Sequence, residues 1–476
     1  MKVSLIVPGL LVRLLLPLAF LAVPPGASAA PSPTPSVVSL WKERIACVAA
    51  VQYTVQTEVD RREVVSFGTV IDHQGTIVLP PMAISLRYAP DQLKSFKVFL
   101  PGESVGEPAV YLGVDPMSGW HFVRAAAAQR ARLRPVTDFS PATTAAPGLA
   151  EKVWGIALRG KDEDFLPYLL SSHVSLINNL PQPTAIAQQE VGSPGLPVFN
   201  RAGQFVGLAL SSFGQSFVEF SRNERAGMPL MLVNVEESSA FLFASECLPQ
   251  FLRIPTNVFG RPFAWLGTYG LEPVDPEVAR FLHLQNQSAA VVSEVLENSP
   301  AEKAGLKSRD IIVAIDGKTL PRFRPDRVVT TYIEREIDRR HPGDPFSMTV
   351  LRDGKRLEIK ATLADAPMLD REAPRQYFER LGFTARAFVY SDAVVRRTKF
   401  ADATGVIAHF VKPDGPAAIA GLQTGDWIKE IDGVEVKTYA EAVKRLAAIE
   451  SDPTRTEYVL LVARNGDTSI VRVKLK

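Results

Sequence analysis

The chain has 476 residues, of which 46% are hydrophobic and 22% are charged. This composition is typical of globular domains, and it excludes a wholly disordered chain, a collagen and a polytopic membrane protein. The length predicts about two to four domains. Its 53 basic and 51 acidic residues give a formal net charge of +2, and no block of like charge indicates nucleic-acid binding or a polybasic membrane patch.

Residues 1–29 have the pattern of an export signal. Lys2 and Arg13 flank a leucine-rich apolar run, and the small residues Ala27-Ser28-Ala29 that follow suit a signal peptidase. A retained anchor helix is the alternative, but prolines interrupt the run and leave it short for a bilayer. We expect cleavage, no membrane span afterwards and a periplasmic or secreted protein. A proline-rich extended spacer is expected over residues 30–40.

The two cysteines, Cys47 and Cys247, are too few for a zinc cluster or a disulfide scaffold. In an oxidising compartment they form a disulfide if the fold brings them together, and two buried thiols are the alternative. No pair of histidines or cysteines has a metal-ligand spacing, and no phosphate-binding or dinucleotide-binding motif occurs. The sequence therefore predicts no metal and no cofactor.

Residues 41–251 contain short β-rich runs broken by glycine and proline. A helical period occurs only near the end, from Glu236 to Phe243. This pattern predicts an all-β barrel domain.

Three stretches of this domain resemble the HtrA (Deg) family, secreted chymotrypsin-like serine proteases that place such a domain ahead of one or two PDZ domains. Ser66 to Val78 is similar to the family's stretch before its catalytic histidine, and Asp115 to Trp120 to its aspartate segment. Val191 to Asn200 is similar to the serine motif G-N-S-G-G-P-L-x-N. The resemblance implies a double β-barrel, and a homo-oligomer, commonly a trimer.

In this alignment the triad positions fall on Met82, Gly119 and Pro194. A thioether cannot accept the nucleophile's proton, glycine cannot orient an imidazole and proline has no attacking atom. Pro194 also lacks the N–H that the family uses in its oxyanion hole, and one lost donor costs about a hundred- to a thousandfold in rate. We therefore expect a noncatalytic domain, a pseudoprotease. The alternative is an active serine endopeptidase with a rearranged site near Ser193.

No histidine of the domain stands at a triad position. His73 is expected in a solvated turn and His121 on an ordinary barrel face, while His173 gives no indication. A slip of the alignment does not supply the base, because no histidine occurs between Gln74 and Trp120.

The second half contains an internal duplication. Residues 298–317 and 414–433 share a proline-started helical turn, an Ala-Gly-Leu end, an apolar strand and an Ile-Asp-Gly turn. In the first copy Ser299 is a suitable N-cap, and Pro300 suits the first helical position. Gly305 supplies the left-handed residue that ends the helical turn.

The duplicated pattern resembles PDZ domains of the bacterial protease-associated type. Arg309 stands where the family has glycine, whereas the second copy has Gly425. An apolar-Gly-apolar loop precedes each copy, with the residues Leu266, Gly267 and Thr268 in the first and Leu381, Gly382 and Phe383 in the second. The resemblance implies that the N–H groups of these loops receive a peptide's terminal carboxylate.

A peptide would then add as a strand beside each loop, with Val328 to Ile337 or Tyr439 to Leu446 as the helical far wall. We expect the second groove to be the better binder, because Thr268 replaces a larger apolar residue in the first. Spacer domains with occluded grooves are the alternative. The expected partners are polypeptide C-termini or extended segments, and the expected role is that of an adaptor, scaffold or quality-control factor.

The expected domain order follows from these patterns. The first PDZ domain is expected over residues 255–365 and the second over residues 376–476. A linker over residues 366–375 should let the two units move relative to each other.

Overall fold

The computed structural model describes residues 36–140, 146–180, 182–210, 217–220, 229–232 and 240–475. The expected export signal lies outside these residues. The expected spacer does so in part: helix α1 (Val37–Arg44) starts after the N-cap Ser36, whose hydroxyl accepts the N–H of Ser39. The extended spacer therefore ends earlier than expected, because its last residues are helical and Leu40 is buried in the core.

A seven-stranded antiparallel sheet opens the front domain, in the order β5-β4-β1-β2-β3-β7-β6. Its strands are β1 (Val48–Gln56), β2 (Arg61–Val70), β3 (Thr76–Leu79), β4 (Leu93–Phe99), β5 (Glu107–Pro108), β6 (Val110–Val114) and β7 (His121–Arg124), and helix α2 is Ala127–Arg130.

A closed barrel follows the sheet. The strands of this part are β8 (Lys152–Leu158), β9 (Pro167–Asn178), β10 (Thr184–Ala187), β11 (Pro197–Asn200), β12 (Phe205–Ala209), β13 (Phe217–Phe220), β14 (Pro229–Leu232) and β15 (Ala240–Phe243). The barrel has the order β10-β15-β12-β11-β8-β9, and β13 pairs with β14 alone. The expected all-β domain is confirmed.

The helix expected from Glu236 to Phe243 is wrong over its second half, and its first half lies outside the described residues. Ala240–Phe243 is strand β15, paired with β10 and β12, and helix α3 (Ala244–Phe251) begins only after it. All four residues of β15 are buried. Periodicity cannot distinguish such a short, wholly apolar strand from a buried helical turn.

The sheet and the barrel share one core, which contains both cysteines. Cys47 and Cys247 are completely buried there as free thiols. Burial raises the pKa of Cys47 to about 12. Of the two alternatives for the cysteines, the structure therefore has the buried thiols.

The first repeat unit is built around a sheet in the order β17-β18-β19-β21-β22. Its elements are β16 (Ala264–Trp265), β17 (Thr268–Pro273), α4 (Pro276–Phe281), β18 (Ala290–Val295), α5 (Pro300–Lys303), β19 (Ile311–Ile315), β20 (Lys318–Thr319), α6 (Val328–Asp338), β21 (Pro345–Arg352), β22 (Lys355–Thr362) and β23 (Ala364–Asp365).

The second unit repeats this plan, with one more strand on the main path: β24-β25-β26-β27-β29-β30. Its elements are β24 (Arg375–Phe378), β25 (Phe383–Ala387), α7 (Tyr390–Arg396), β26 (Val406–Val411), α8 (Pro416–Ile419), β27 (Trp427–Ile431), β28 (Val434–Glu435), α9 (Tyr439–Ser451), β29 (Glu457–Arg464) and β30 (Asp467–Lys474).

The duplication extends to a buried ion pair. Arg352 donates to both carboxylate oxygens of Asp310, each at 2.6 Å, and to the carbonyl of Gly305 at 2.8 Å. In the second unit Arg464 repeats the pair with Asp426 at 2.6 and 2.6 Å, and it reaches the corresponding glycine carbonyl at 2.9 Å. In each unit the pair ties the last hairpin to the turn that ends the short helix.

The segment between the two units is bound rather than free. Arg261 donates to both carboxylate oxygens of Glu372, at 2.8 and 2.6 Å. It also donates to the carbonyls of Ala366 and Pro367, at 2.6 and 2.8 Å. These bonds hold residues 366–375 against the first unit.

The second unit also contacts the front domain. Arg375 donates to Asp91 at 2.9 Å, and Thr384 donates to Glu58 at 3.0 Å. The expected free movement of the units is therefore opposed at both ends of the linker.

Candidate functional site

Met82, Gly119 and Pro194, the residues expected at the triad positions, lie close to one turn of the front domain. The turn Pro80-Pro81-Met82 lies against the backbone at the other two positions. A Cβ added to Gly119 would be 3.2 Å from the Pro81 Cβ, and a Cβ added to Gly195 would be 2.6 Å from the Pro80 ring. Gly195 directly follows Pro194, and its carbonyl accepts the Thr69 hydroxyl at 2.7 Å. Met82 itself is 81% exposed.

Ser193 is not arranged as a nucleophile. It is 7% exposed, and within the described part of the chain its Oγ has one hydrogen bond, from the Leu158 N–H at 3.4 Å. The N–H groups on either side of Pro194 also point inward: Ser193 donates to Ile156 and Gly195 to Ala209. The loop thus offers neither an activated hydroxyl nor these two N–H groups for catalysis.

His121, the first residue of β7, directly follows Trp120, which lines a pocket beside this turn. It is fully buried, and its Nδ1 lies 2.9 Å from the Tyr111 hydroxyl. Burial lowers the pKa of His121 to about 4, and the carbonyls of Pro81 and Ile84 only partly offset this effect. His121 is therefore a neutral core residue beneath the turn that carries Met82. His73 is exposed in its turn, 3.2 Å from Asp138.

Helix α6 of the first repeat unit lies over the same turn. Its Arg335 pairs with Glu246 of α3 at 3.1 Å. A pocket of about 300 Å³, partly open to solvent, lies between α6 and the front domain, and its lining includes Pro81, Trp120 and Asp338. Burial raises the pKa of Asp338 to about 6. The helical wall of the first groove is thus fixed to the front domain.

The loop of the first unit, Leu266 to Thr268, has backbone N–H groups without an acceptor among the described residues, although Leu266 and Gly267 are buried. The carbonyls of Leu266 and Gly267 accept the N–H groups of Ala301 and Leu296, each at 2.9 Å. Among the described residues, no acceptor bonds the N–H of Leu266 or of Gly267. Gly267 has φ +89°, and a Cβ there would lie 2.1 Å from the Ser299 Cβ, so the loop requires glycine.

The strand that leaves this loop has a free edge. Strand β17 pairs with β18 on one side and ends the sheet on the other. It is also solvent-accessible, with Tyr269 53% exposed and no residue of the strand buried. Such an edge accepts an added strand, and α6 forms the opposite wall.

The second unit differs, because its own chain occupies the corresponding edge. Strand β24 pairs with β25 in antiparallel register, from Phe378 opposite Phe383 to Arg375 opposite Arg386. As a result, the first four residues of β25 are buried. An antiparallel peptide would need the backbone groups of β25 that β24 already uses.

The loop N–H groups of the second unit are also occupied. The Glu450 carboxylate, in the last turn of α9, accepts the N–H of Arg380 at 2.9 Å and that of Leu381 at 3.1 Å. The N–H of Gly382 donates to the Phe378 carbonyl at 2.8 Å. The Arg380 guanidinium in turn caps α9 by donating to backbone carbonyls, including that of Asp452 at 2.7 Å.

The structure therefore reverses the expected order of the two grooves. Leu266, Gly267 and Thr268 border an open edge, whereas Leu381, Gly382 and Phe383 border an edge filled by β24. The reason is non-local, since β24 and Glu450 close the second groove from opposite ends of the unit. One signal was present in the sequence: an acidic residue such as Glu450 is unfavourable in the last turn of a helix unless something else binds it.

Comparison with known proteins identifies the two repeat units. Two family models described as PDZ domains match residues 273–363 and 411–459. The chain is 26% identical over 278 residues to a protein named probable periplasmic serine endoprotease DegP-like from Brucella suis, covering 58% of this chain and 48% of that protein. A protein of the same name from Ectopseudomonas mendocina is 25% identical over 292 residues, covering 60% and 55%.

The chain spans about half the length of the curated relatives it matches. Among solved structures, a variant of the HtrA-type protease AlgW with a decapeptide aligns with a TM-score of 0.50 at 16% identity, covering 70% of this chain and 98% of that one. At this identity the match shows the fold alone.

Among the described residues, no helix has both the length and the apolar character needed to span a bilayer. The same domain order is indicated by three findings: the β-barrel of the front domain, the two PDZ matches and the DegP-like relatives. The chain has the fold of a trypsin-like domain followed by two PDZ domains, and it is similar in sequence to the DegP-like endoproteases.

Proposed function

We propose that this chain is an exported, noncatalytic HtrA-like protein that binds the C-termini of other polypeptides through its first PDZ domain. It then acts as an adaptor, scaffold or quality-control factor. The observation that carries this proposal is the pair of unbonded N–H groups of Leu266 and Gly267 beside the exposed edge of β17. The relatives' names include the word periplasmic, which supports an exported location.

Two observations support the noncatalytic part. The residues at the triad positions, Met82, Gly119 and Pro194, supply no base, no orienting carboxylate and no nucleophile. The Ser193 hydroxyl accepts a hydrogen bond from the Leu158 N–H, and the His121 Nδ1 is hydrogen-bonded to the Tyr111 hydroxyl. Active endoproteolysis is the second candidate, and the relatives' names favour it.

Peptide binding is tested on the full chain with labelled decapeptides that end in Val, Leu, Phe or Ala. Each peptide is prepared with a free carboxylate and with an amidated C-terminus, and binding is followed by fluorescence anisotropy. We expect the free acids to bind at least about tenfold more tightly, because the amide loses the charged acceptor. Equal binding of both forms, or none, contradicts the proposal.

A matched pair of glycine variants locates the site. Gly267→Ala should abolish the preference for the free acid, because its Cβ would collide with Ser299. Gly382→Ala should leave the preference unchanged: its φ, +79°, is also left-handed, but its loop is already occupied. Circular dichroism of both variants checks that the fold is retained.

The noncatalytic part is tested with a fluorophosphonate probe, which labels activated serines. We expect no labelling of the wild-type chain. Labelling that disappears in Ser193→Ala would establish the endopeptidase alternative.

A further inference from the structure

We propose that Tyr390, a residue of the second PDZ domain, positions the carboxylate-binding loop of the first. The inference rests on the proposed function, because it concerns the same Leu266-Gly267 site. It assigns a role to the second domain, whose own groove is filled by β24.

Tyr390 makes two contacts across the domain boundary. Its ring packs edge-on against that of Trp265, with 5.6 Å between the ring centroids. Its hydroxyl donates to the Glu297 carbonyl at 2.8 Å. On its own domain Tyr390 is held by Phe400, at 5.7 Å between ring centroids.

Both contacted groups hold the loop. Trp265 directly precedes Leu266, and a Cβ on Gly267 would lie 3.3 Å from the Trp265 Cζ2, so the indole lies against the glycine. Glu297 directly follows Leu296, whose N–H donates to the Gly267 carbonyl at 2.9 Å. Tyr390 therefore restrains the loop from the indole side and from the carbonyl side.

This restraint matters because the loop N–H groups bind a carboxylate only while they point at the same place. A loop that is already ordered loses less conformational entropy when the peptide binds. The second domain thus contributes to affinity through an aromatic contact and a hydrogen bond. It need not hold a peptide itself.

The test uses the full chain and the same free-acid and amidated decapeptides. Tyr390→Ala removes both contacts, Tyr390→Phe removes only the hydrogen bond, and Val395→Ala on the same helix is the control, since Val395 is 72% exposed. For the free acids we expect roughly tenfold weaker binding to Tyr390→Ala, an intermediate loss for Tyr390→Phe and none for Val395→Ala. The amidated peptides should change much less.

Hydrogen exchange of residues 264–268 supplies a second readout that does not depend on a peptide. We expect faster exchange in Tyr390→Ala and no change in Val395→Ala. If the wild-type chain prefers the free acid but the Tyr390 variants bind it equally well, this inference is overturned and the proposed function stands. An equal loss of both peptide forms would indicate a merely structural role and would also overturn it.

If the wild-type chain shows no preference, the proposed function fails. In that case only the hydrogen exchange of residues 264–268 tests whether Tyr390 positions the loop, and an unchanged exchange rate in Tyr390→Ala rejects this role.

Discussion

The Glu450 carboxylate lies 3.1 Å from the N–H of Leu381, at the loop that would bind a peptide's terminal carboxylate. The second PDZ domain therefore contains an internal acceptor for the groups that define a PDZ loop. The first domain shares the duplicated sequence pattern and the Asp310–Arg352 ion pair but leaves its loop N–H groups free. The two units have the same framework and differ in the occupancy of the groove.

Removing the Glu450 carboxylate should loosen the second loop. In Glu450→Ala we expect the amide protons of Arg380 and Leu381 to exchange at least about tenfold faster, and stability to fall by about 1–3 kcal/mol, because buried donors lose their acceptor. Hydrogen exchange with residue-level resolution measures the first effect and chemical denaturation the second. Glu358→Ala, at a largely exposed site, serves as the control. Unchanged exchange at both amides would show that the carboxylate is not the acceptor.

Restoring the nucleophile alone should not restore catalysis. Pro194→Ser supplies a hydroxyl and an N–H, but Met82 offers no base, and His121 is buried against Tyr111. We expect no fluorophosphonate labelling and no cleavage of casein, with trypsin as the positive control. Labelling of Pro194→Ser at a rate near that of trypsin would mean that another base reaches the site.

Relieving the backbone of Arg309 should stabilise the first PDZ domain. Arg309 has φ +72° where the second domain has Gly425 at φ +92°. The left-handed conformation destabilises the folded state of a residue with a Cβ by about 1–2 kcal/mol. Glycine avoids this strain, but it loses about 0.5–1 kcal/mol of stability because its unfolded chain has more conformational entropy. Arg309→Gly should therefore gain about 0.5–1 kcal/mol, measured from denaturation midpoints. Gly425→Arg should lose a similar amount, and a loss in Arg309→Gly would refute the strain.

The buried imidazole of His121 should make the front domain sensitive to acid. Burial lowers the pKa of His121 from 6.5 to about 4, so the unfolded chain takes up a proton at a higher pH than the folded chain. Its contribution to stability is complete above pH 6.5 and is lost as the pH falls through about 4. The groups near the ring are the Tyr111 hydroxyl and the Arg371 guanidinium, and the positive charge of Arg371 also lowers the pKa.

In His121→Gln, the loss of stability between pH 6.5 and pH 4 should be smaller by about 2–3 kcal/mol, at about 1.4 kcal/mol per pKa unit. Unfolding by urea at a series of pH values measures this difference. His173→Gln, at an exposed position of the same domain, should follow the wild-type profile. If the stability of His121→Gln depends on pH in the same way as that of the wild-type chain, the buried imidazole of His121 is not the source of the acid sensitivity.

Local sequence signals predicted the repeat framework well. The Ser299 cap, the left-handed Gly305 and strand β19 (Ile311–Ile315) lie where the pattern places them. Each is set by a few neighbouring residues, so the sequence suffices. The helix prediction over Ala240–Phe243 was wrong for the opposite reason. The strand's partners, β10 and β12, are distant in the chain, and its apolar run fits either a strand or a helical turn.

The candidate site was predicted only in part, because its state depends on distant residues. Spacing predicted both PDZ loops, and the three residues expected at the triad positions lie near the turn Pro80-Pro81. No local signal shows that β24 turns back onto β25 or that Tyr390 reaches Trp265. The acidic Glu450 in the last turn of α9 indicates that some group binds it, but not that this group is the N–H of Leu381. These contacts join elements far apart in the chain, and loop spacing does not contain that information.

The pairing of β24 with β25 also bears on how the second domain can be handled as a fragment. A fragment that starts after Phe378 lacks β24 and exposes the bare edge of β25. An exposed edge of this kind readily pairs with another copy, by strand exchange or by aggregation. The four residues Arg375–Phe378 thus protect the isolated domain from self-association, and a soluble fragment should begin before Pro374.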